Sequence, residues 1–537
     1  MRTVFVLILL ASCIPAPTTA QDAAPSPPNL PLDTKKAADA IRQKAAAKGS
    51  QLPAAKKKSN SYDSMLKDFE KRLGDSEKAY EEYTEKQDEK WEKLEEKLEK
   101  QGEKLEEKWE KQEEKWDEQG DENSSFSKAL KKAVVSGTSN TKSMKIVGRV
   151  HLDYWGIPSS DAGINTIESG DPNTTPQDRI AFRRMRFGVR GDVNDLMEYR
   201  IEAEFAGGNN MEFRDAWLGF KELGWLGKVL IGNQKRPYGL DHLNSSRHNV
   251  FLERPFVVES FNQDARRIGI ASYNVSDDQA WNWRYGLYNQ HLVQNSGQYL
   301  SDHLQGEIAG RLANTAWYDE TSGGRGYFHW AVSGTVAFPD GDGGPLEPNE
   351  ARFRHRPEAR TVERWLNTGR IDGADTYELL NFEAALNLGA FNITGEYQNL
   401  FLQRDTGFND IYLHGGYVQA SYFLTGEHLP WKRSSGTIDR VKPFENFFLL
   451  RNGCNGCTVK GKGAWQIAAR YSFADFNDQD IAGGVAESVT IGVNWYWNAN
   501  ARMQFNYIFG GIDDRDIDGV PTGGDYQIVG TRMMIDF

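Results

Sequence analysis

The chain ends Tyr526-Gln-Ile-Val-Gly-Thr-Arg-Met-Met-Ile-Asp-Phe537, a stretch that alternates apolar and polar side chains up to a terminal phenylalanine. Val529, Met533, Ile535 and Phe537 share one face; Gly530, Arg532 and Asp536 share the other. A half-buried soluble strand alternates too, but here the period of two returns again and again behind a secretion signal. Mean hydropathy is strongly negative, and no apolar run is long enough to span a bilayer as a helix. A bilayer core admits only helices and closed barrels. The expected fold is therefore an all-β transmembrane barrel of antiparallel strands.

At the other end stand Arg2, an apolar run from Val4 to Leu10, and small residues up to Ala20. Residues 1–20 read as a secretory signal peptide cut after Ala20. Leu10, Ala11, Ser12 and Cys13 also fit a lipoprotein box that would lipidate Cys13, although the apolar run is short for one. Without Cys13 the chain keeps Cys454 and Cys457. In a glycine-rich loop outside any reducing compartment these are expected to close a small disulfide.

The formal net charge of −12 is unevenly spread. Residues 1–144 carry 23 Lys and 3 Arg, whereas residues 145–537 carry 8 Lys and 30 Arg. Lysine suits a solvated helix surface, and guanidinium suits the holding of oxyanions. The two parts do different jobs. Residues 21–61, rich in Pro, Ala and Lys, read as a flexible linker. Residues 62–120 are dominated by Glu and Lys, with an apolar and Gln stripe from Tyr80 through Trp91, Leu98, Leu105 and Trp109 to Trp116 at a mean step of 3.6. That step predicts a self-associating, nearly straight coiled-coil stalk; a single helix held by Glu/Lys pairs is the competing reading. After a Ser/Thr-rich joint over 121–144 the period becomes two. The remaining 145–537 accommodates about sixteen spanning strands at about ten residues each plus turns and loops.

Between Ala181 and Gly191, Met185, Phe187 and Val189 share one face while Arg184, Arg186 and Arg190 share the other. Apolar residues must meet lipid, so the arginines point into the pore. The same sorting places Arg149, Arg284, Arg470, Arg502 and Arg532 on the lumen face. Barrel lumens often pair arginine with a carboxylate as a wall strut, and Glu202 and Glu204 beside Arg200, or Asp536 near Arg532, fit that reading. Three arginines on one strand face with no acid between them point instead to attraction of anions at a narrow, low-dielectric passage.

Ordered motifs then carry a resemblance. Phe182-Arg-Arg-Met-Arg-Phe-Gly-Val-Arg-Gly191, Glu202-Ala-Glu-Phe-Ala-Gly207 and Gly232-Asn-Gln-Lys-Arg-Pro-Tyr-Gly-Leu240 come first, followed by Ser245-Ser-Arg247 and Glu253-Arg254. Arg356-Pro-Glu-Ala359, Leu424-Thr-Gly-Glu427, Arg440-Val-Lys-Pro443, Gly463-Ala-Trp465, Ala469-Arg-Tyr471 and Gly492-Val-Asn-Trp-Tyr496 continue the series. Together they resemble the phosphate-selective porins O and P. The resemblance implies a homotrimer of sixteen-stranded outer-membrane barrels, an arginine ladder for anions, and a third loop folded inward, here Lys235 through Glu253. Lys235 and Arg247 thereby join the candidate anion-binding residues. Phosphate-specific members carry a lysine where this chain has Arg247.

Asp514, Asp516 and Asp518, then Gly519, with Asp525 at the twelfth place, match the spacing of a calcium loop. The competing reading is an acidic surface loop. No cofactor is otherwise expected. Nothing in the chain reads as a nucleophile motif, a phosphate-binding glycine loop or HExxH, so an enzyme is not expected, nor is a nucleic-acid partner. The functions left are a channel favouring small anions, phosphate or polyphosphate included, a porin of little selectivity, and a structural anchor. In the last, outer-membrane lipid holds the barrel and the periplasmic stalk reaches the peptidoglycan.

Overall fold

The protein is described from a computed structural model covering residues 143–207, 211–262, 266–293, 304–344, 348–451 and 458–537. The residues read as signal peptide, linker and stalk, most of those read as the joint, and Cys454 and Cys457 lie outside the described residues.

Sixteen antiparallel strands close into a barrel in chain order. The first seven are β1 (Ser143–Ser160), β2 (Arg179–Asn194), β3 (Met197–Glu204), β4 (Glu212–Phe220), β5 (Lys228–Lys235), β6 (Arg266–Val275) and β7 (Trp281–Asn289). Five more follow: β8 (Gly306–Tyr318), β9 (Gly326–Ala337), β10 (Ala374–Leu388), β11 (Phe391–Arg404) and β12 (Ile411–Phe423). The last four are β13 (Ala464–Asp478), β14 (Ile481–Tyr496), β15 (Ala501–Ile517) and β16 (Val520–Asp536). Closure is made by β1, which pairs with β2 on one side and with β16 on the other, Arg149 opposite Asp536 and Trp155 opposite Gly530. A closed sheet has no open edge, the condition that lipid imposes on a β-structure.

The alternation read from the sequence is the alternation of the wall. Met185, Phe187, Ile535, Met533 and Phe537 are exposed on the outside, while Arg184, Arg186, Arg532 and Asp536 are buried within. One irregularity matters for the lumen. The β1–β2 register runs from His151 opposite Arg184 to Leu152 opposite Phe182, so Arg183 is an extra residue in a β-bulge. The bulge lets Arg183 turn inward beside Arg184 and reach Glu253.

Long loops face outward and short turns face the periplasm in such barrels. By that rule the connections that follow β1, β3, β5, β7, β9, β11, β13 and β15, four of them long, leave the outer rim. The first of these carries α1 (Ala162–Ser169); the third-strand-pair loop 236–265 carries α2 (Leu240–Leu243) and α3 (Phe256–Asn262). On the periplasmic rim six connections are short and one, residues 424–463, is long. Asp518 and Gly519 form the turn between β15 and β16, both with positive φ (54° and 83°), the signature of a type I′ hairpin. The aspartates from Asp514 to Asp525 therefore lie along a hairpin, not on a wrapping loop. Among the described residues no group of three or more His, Cys, Asp or Glu is placed to hold a metal ion.

Residues 236–262 of the β5–β6 loop fold into the barrel. Phe256, Val257, Val258 and Phe261 of α3 are fully buried against inward-facing Leu400, Leu402, Leu413, Ala474 and Phe476. Each such side chain gains about 1.5–3 kcal/mol from leaving water, which offsets the entropy of ordering a long loop. The inner faces of β10–β16 thus break the polar-inside rule because they meet protein instead of water.

Candidate functional site

The interior is filled off-centre. Residues 238–261 and 351–371 pack against β10–β16, and residues 429–441 fold in from the periplasmic side, where Trp431 stacks on Tyr327 at 5.2 Å. A cavity of 680 Å³ remains along β1–β7. Fifteen arginines and Lys235 line it against six carboxylates, Glu212, Asp215, Glu253, Glu259, Glu350 and Glu358.

The wall arginines form a network with acids from neighbouring strands. Glu202 takes Arg200 at 2.7 Å, Arg149 at 3.1 Å and Arg186 at 3.4 Å. Glu204 takes Arg186 at 2.6 Å, and Asp215 takes Arg266 at 2.7 Å. Arg149 also donates to Ser246 Oγ at 2.8 Å, joining the wall to the paired serines of the inward loop. Arg186 and Arg149 thus have partners, while Arg184 stands apart. It is 3% exposed, and its Nε and Nη1 have no hydrogen-bond partner. Its register partner His151 is fully buried with both ring nitrogens unpartnered.

The other arginines expected on the lumen face are distributed by the inward loop. Arg284 lines the cavity and donates to Ser435 O at 2.8 Å, on the periplasmic segment. Lys235 lines it too, but its Nζ donates to the carbonyls of His242, Leu243 and Asn244 at 2.7, 3.1 and 2.9 Å, at the end of α2. Arg470, Arg502 and Arg532 lie under the loop and hold it. Arg470 donates to Glu253 O at 3.0 Å, and Arg502 to Asn249 O at 2.7 Å. Arg532 grips Asp153 at 2.6 Å and Glu253 at 2.8 Å. Asp536 pairs not with Arg532 but with Arg440 at 2.6 Å and with Arg247 at 3.3 Å. Arg247 sits outside the cavity, in a small recess with His248 and Arg502. Arg190 is exposed near the periplasmic rim, in register between Lys145 and Arg200.

Sequence reasoning passed over the largest cationic group. Arg352, Arg354, Arg356, Arg360, Arg364 and Arg370 of loop 338–373 all line the cavity. The signal was present as the alternation Arg352-x-Arg354-x-Arg356, which falls at the short ladder of Arg354–His355 with Leu366–Asn367. The loop is seated by Glu168 of α1, whose carboxylate accepts the N–H groups of Val362 at 2.7 Å and Glu363 at 3.0 Å and the indole of Trp365 at 2.9 Å. Like-charge crowding marks the arm. Arg183 and then burial push Arg360 down to about 9. Burial, followed by Arg352 and Arg370, brings Arg354 to about 10.

The family model of the phosphate-selective porins O and P matches residues 145–537, all but the first two residues of the barrel. The chain belongs to that family. An uncharacterized protein of Caulobacter vibrioides is similar to this porin at 25% identity over 418 residues, 74% of this chain and 75% of the relative. Porin O of Pseudomonas aeruginosa is 30% identical over 157 residues, 26% of this chain and 33% of Porin O. Among solved structures, the trimer form of OmpT from Vibrio cholerae aligns with a TM-score of 0.44 at 14% identity, covering 74% of this porin and 99% of OmpT. The outer-membrane channel DcaP of Acinetobacter baumannii aligns with a TM-score of 0.41 at 11% identity, covering 73% and 97%. The protein is an outer-membrane porin.

Proposed function

We propose that this porin is a water-filled channel for passive diffusion of small anions, phosphate and polyphosphate among them. One observation carries the reading: sixteen cations against six carboxylates on the wall of a single cavity. Protein walls focus such a charge excess and concentrate counter-ions in the passage. Conduction also requires release, and the many partial partners, Glu202 beneath three arginines above all, keep the guanidiniums from holding an anion too firmly. Arg184 is a wall cation with two unpartnered donors, Nε and Nη1. The loop arginines 352–370 form the outer collecting surface, in place of a ladder reaching Arg470, Arg502 and Arg532. Arg247, where phosphate-specific members have lysine, faces Asp536 outside the cavity, which favours general anion preference over tight phosphate binding.

The test is the reversal potential of the reconstituted channel across a KCl gradient. Anion selectivity supports the reading, and cation selectivity overturns it. The same proposal has the chain assemble as a homotrimer in outer-membrane lipid, with residues 62–120 extending toward the peptidoglycan.

A further inference from the structure

We propose that the solutes this channel favours are organic anions carrying a flat apolar body beside their charge, and that Trp217 sorts them, a step that rests on the anion reading above. Trp217, on β4, shares the inward face with Asp215 and stands opposite Arg200 of β3, and all three line the cavity. The ring is half-buried, and among the described residues it makes no hydrogen bond, ring stack or cation–π contact. Its partner on β5 is Gly232, which has no side chain to cover it.

The apolar surface continues from there. Leu230 of β5 and Tyr273 of β6 line the same stretch of cavity. Tyr273 is fixed by its hydroxyl donating to Gln234 Oε1 at 2.8 Å, with Arg284 over its ring at 5.2 Å. One side of the passage is thus an apolar wall, and cations flank it at Arg200 and Arg284. A bare inorganic anion gains nothing from such a wall and loses hydration beside it. An anion with a flat apolar body stacks on the indole while its charge meets guanidinium, the arrangement that aromatic faces favour.

Phenyl phosphate and inorganic phosphate carry the same headgroup and differ in the ring. Each is titrated against the chloride conductance of the full chain in planar bilayers. Phenyl phosphate should half-block at a concentration roughly two- to tenfold lower, the range expected of one aromatic contact. Trp217→Ala should bring the two half-block concentrations together while leaving the reversal potential in KCl unchanged. Trp217→Phe, which keeps an aromatic face, should retain the preference and shows that the channel tolerates change at this site. Equal half-block in the native channel, or a preference that survives Trp217→Ala, overturns the role of Trp217. Cation selectivity of the native channel would instead defeat the anion reading itself.

Discussion

The carboxylate of Glu396, on the wall strand β11, accepts the backbone N–H of Leu240 at 2.8 Å, at the first turn of α2 in the inward loop. The N–H of Asp241 is accepted at 2.7 Å, and the hydroxyl of Tyr417 donates to the same group at 2.7 Å. Gly239 precedes them with φ of 72°, and a Cβ there would meet Glu396 Oε2 at 2.8 Å, so any other residue is strained at this turn. Glu396→Ala leaves two buried N–H groups without a partner, at about 1–3 kcal/mol each. Amide exchange across 236–262 should quicken and single-channel current should become larger and noisier. Unchanged exchange would show that the latch holds nothing.

Two arginines on the lumen face should behave oppositely. Arg532→Ala leaves the buried Asp153 without its cation, while Glu253 keeps Arg183, and breaking a buried pair such as Arg532–Asp153 costs about 3–5 kcal/mol. Denaturant unfolding in detergent should show that loss. Arg184→Ala removes a guanidinium with unpartnered donors and should leave the unfolding midpoint nearly in place while lowering the chloride-to-potassium permeability ratio. The assignment fails if the two variants exchange phenotypes.

His248, in the inward loop, donates Nδ1–H to Ile438 O at 3.2 Å and so ties that loop to the periplasmic segment. Burial holds its pKa at about 4; Arg502 and Arg440 lower it further, while the hydrogen bond to Ile438 and the charge of Asp439 oppose the shift. An unfolded histidine takes its proton near about 6.5. Between those values the unfolded state binds more protons, so this contribution is intact above about pH 6.5 and is lost as pH falls toward about 4. His248→Gln keeps a donor and removes the titration. Its unfolding midpoint should vary less with pH across that window; identical slopes for variant and native chain would contradict the assignment.

Burial and neighbouring arginines hold Arg354 and Arg356 below the ordinary guanidinium range, and Arg183 followed by burial does the same to Arg360. Guanidinium keeps its proton at accessible pH, so a bound anion is the partner that would relieve this like-charge repulsion. An anion that binds only the folded chain stabilises it by about 2.7 kcal/mol at a hundred times its Kd. Phosphate should raise the unfolding temperature more than chloride of equal ionic strength. In an Arg354→Ala, Arg360→Ala double variant the difference should shrink; an undiminished difference would place the binding elsewhere.

Much of the wall was legible because lipid imposes a rule on every second residue. Met185 and Phe187 outside, Arg184 and Arg186 inside, follow from the period alone. The pairing of those arginines was not legible. Glu204 meets Arg186 only because the β2–β3 register sets them opposite, and Asp153 meets Arg532 across 379 positions of chain at the closure of the barrel. Nor did the alternation reveal the bulge that turns Arg183 inward, since one extra residue leaves the local pattern readable on either side.

By itself, then, the order of residues determined a closed barrel with a lipid face and an arginine-bearing lumen, because hydration and hydrocarbon sort side chains locally, residue by residue. Tertiary structure alone decided which cations face water. Loop 236–265 buries its apolar residues against β11–β13 and covers Arg470, Arg502 and Arg532 with its carbonyls, while the passage is left beside β1–β7 with the arginines of loop 338–373 above it. That partition depends on long-range packing and ion pairing, which no local periodicity encodes.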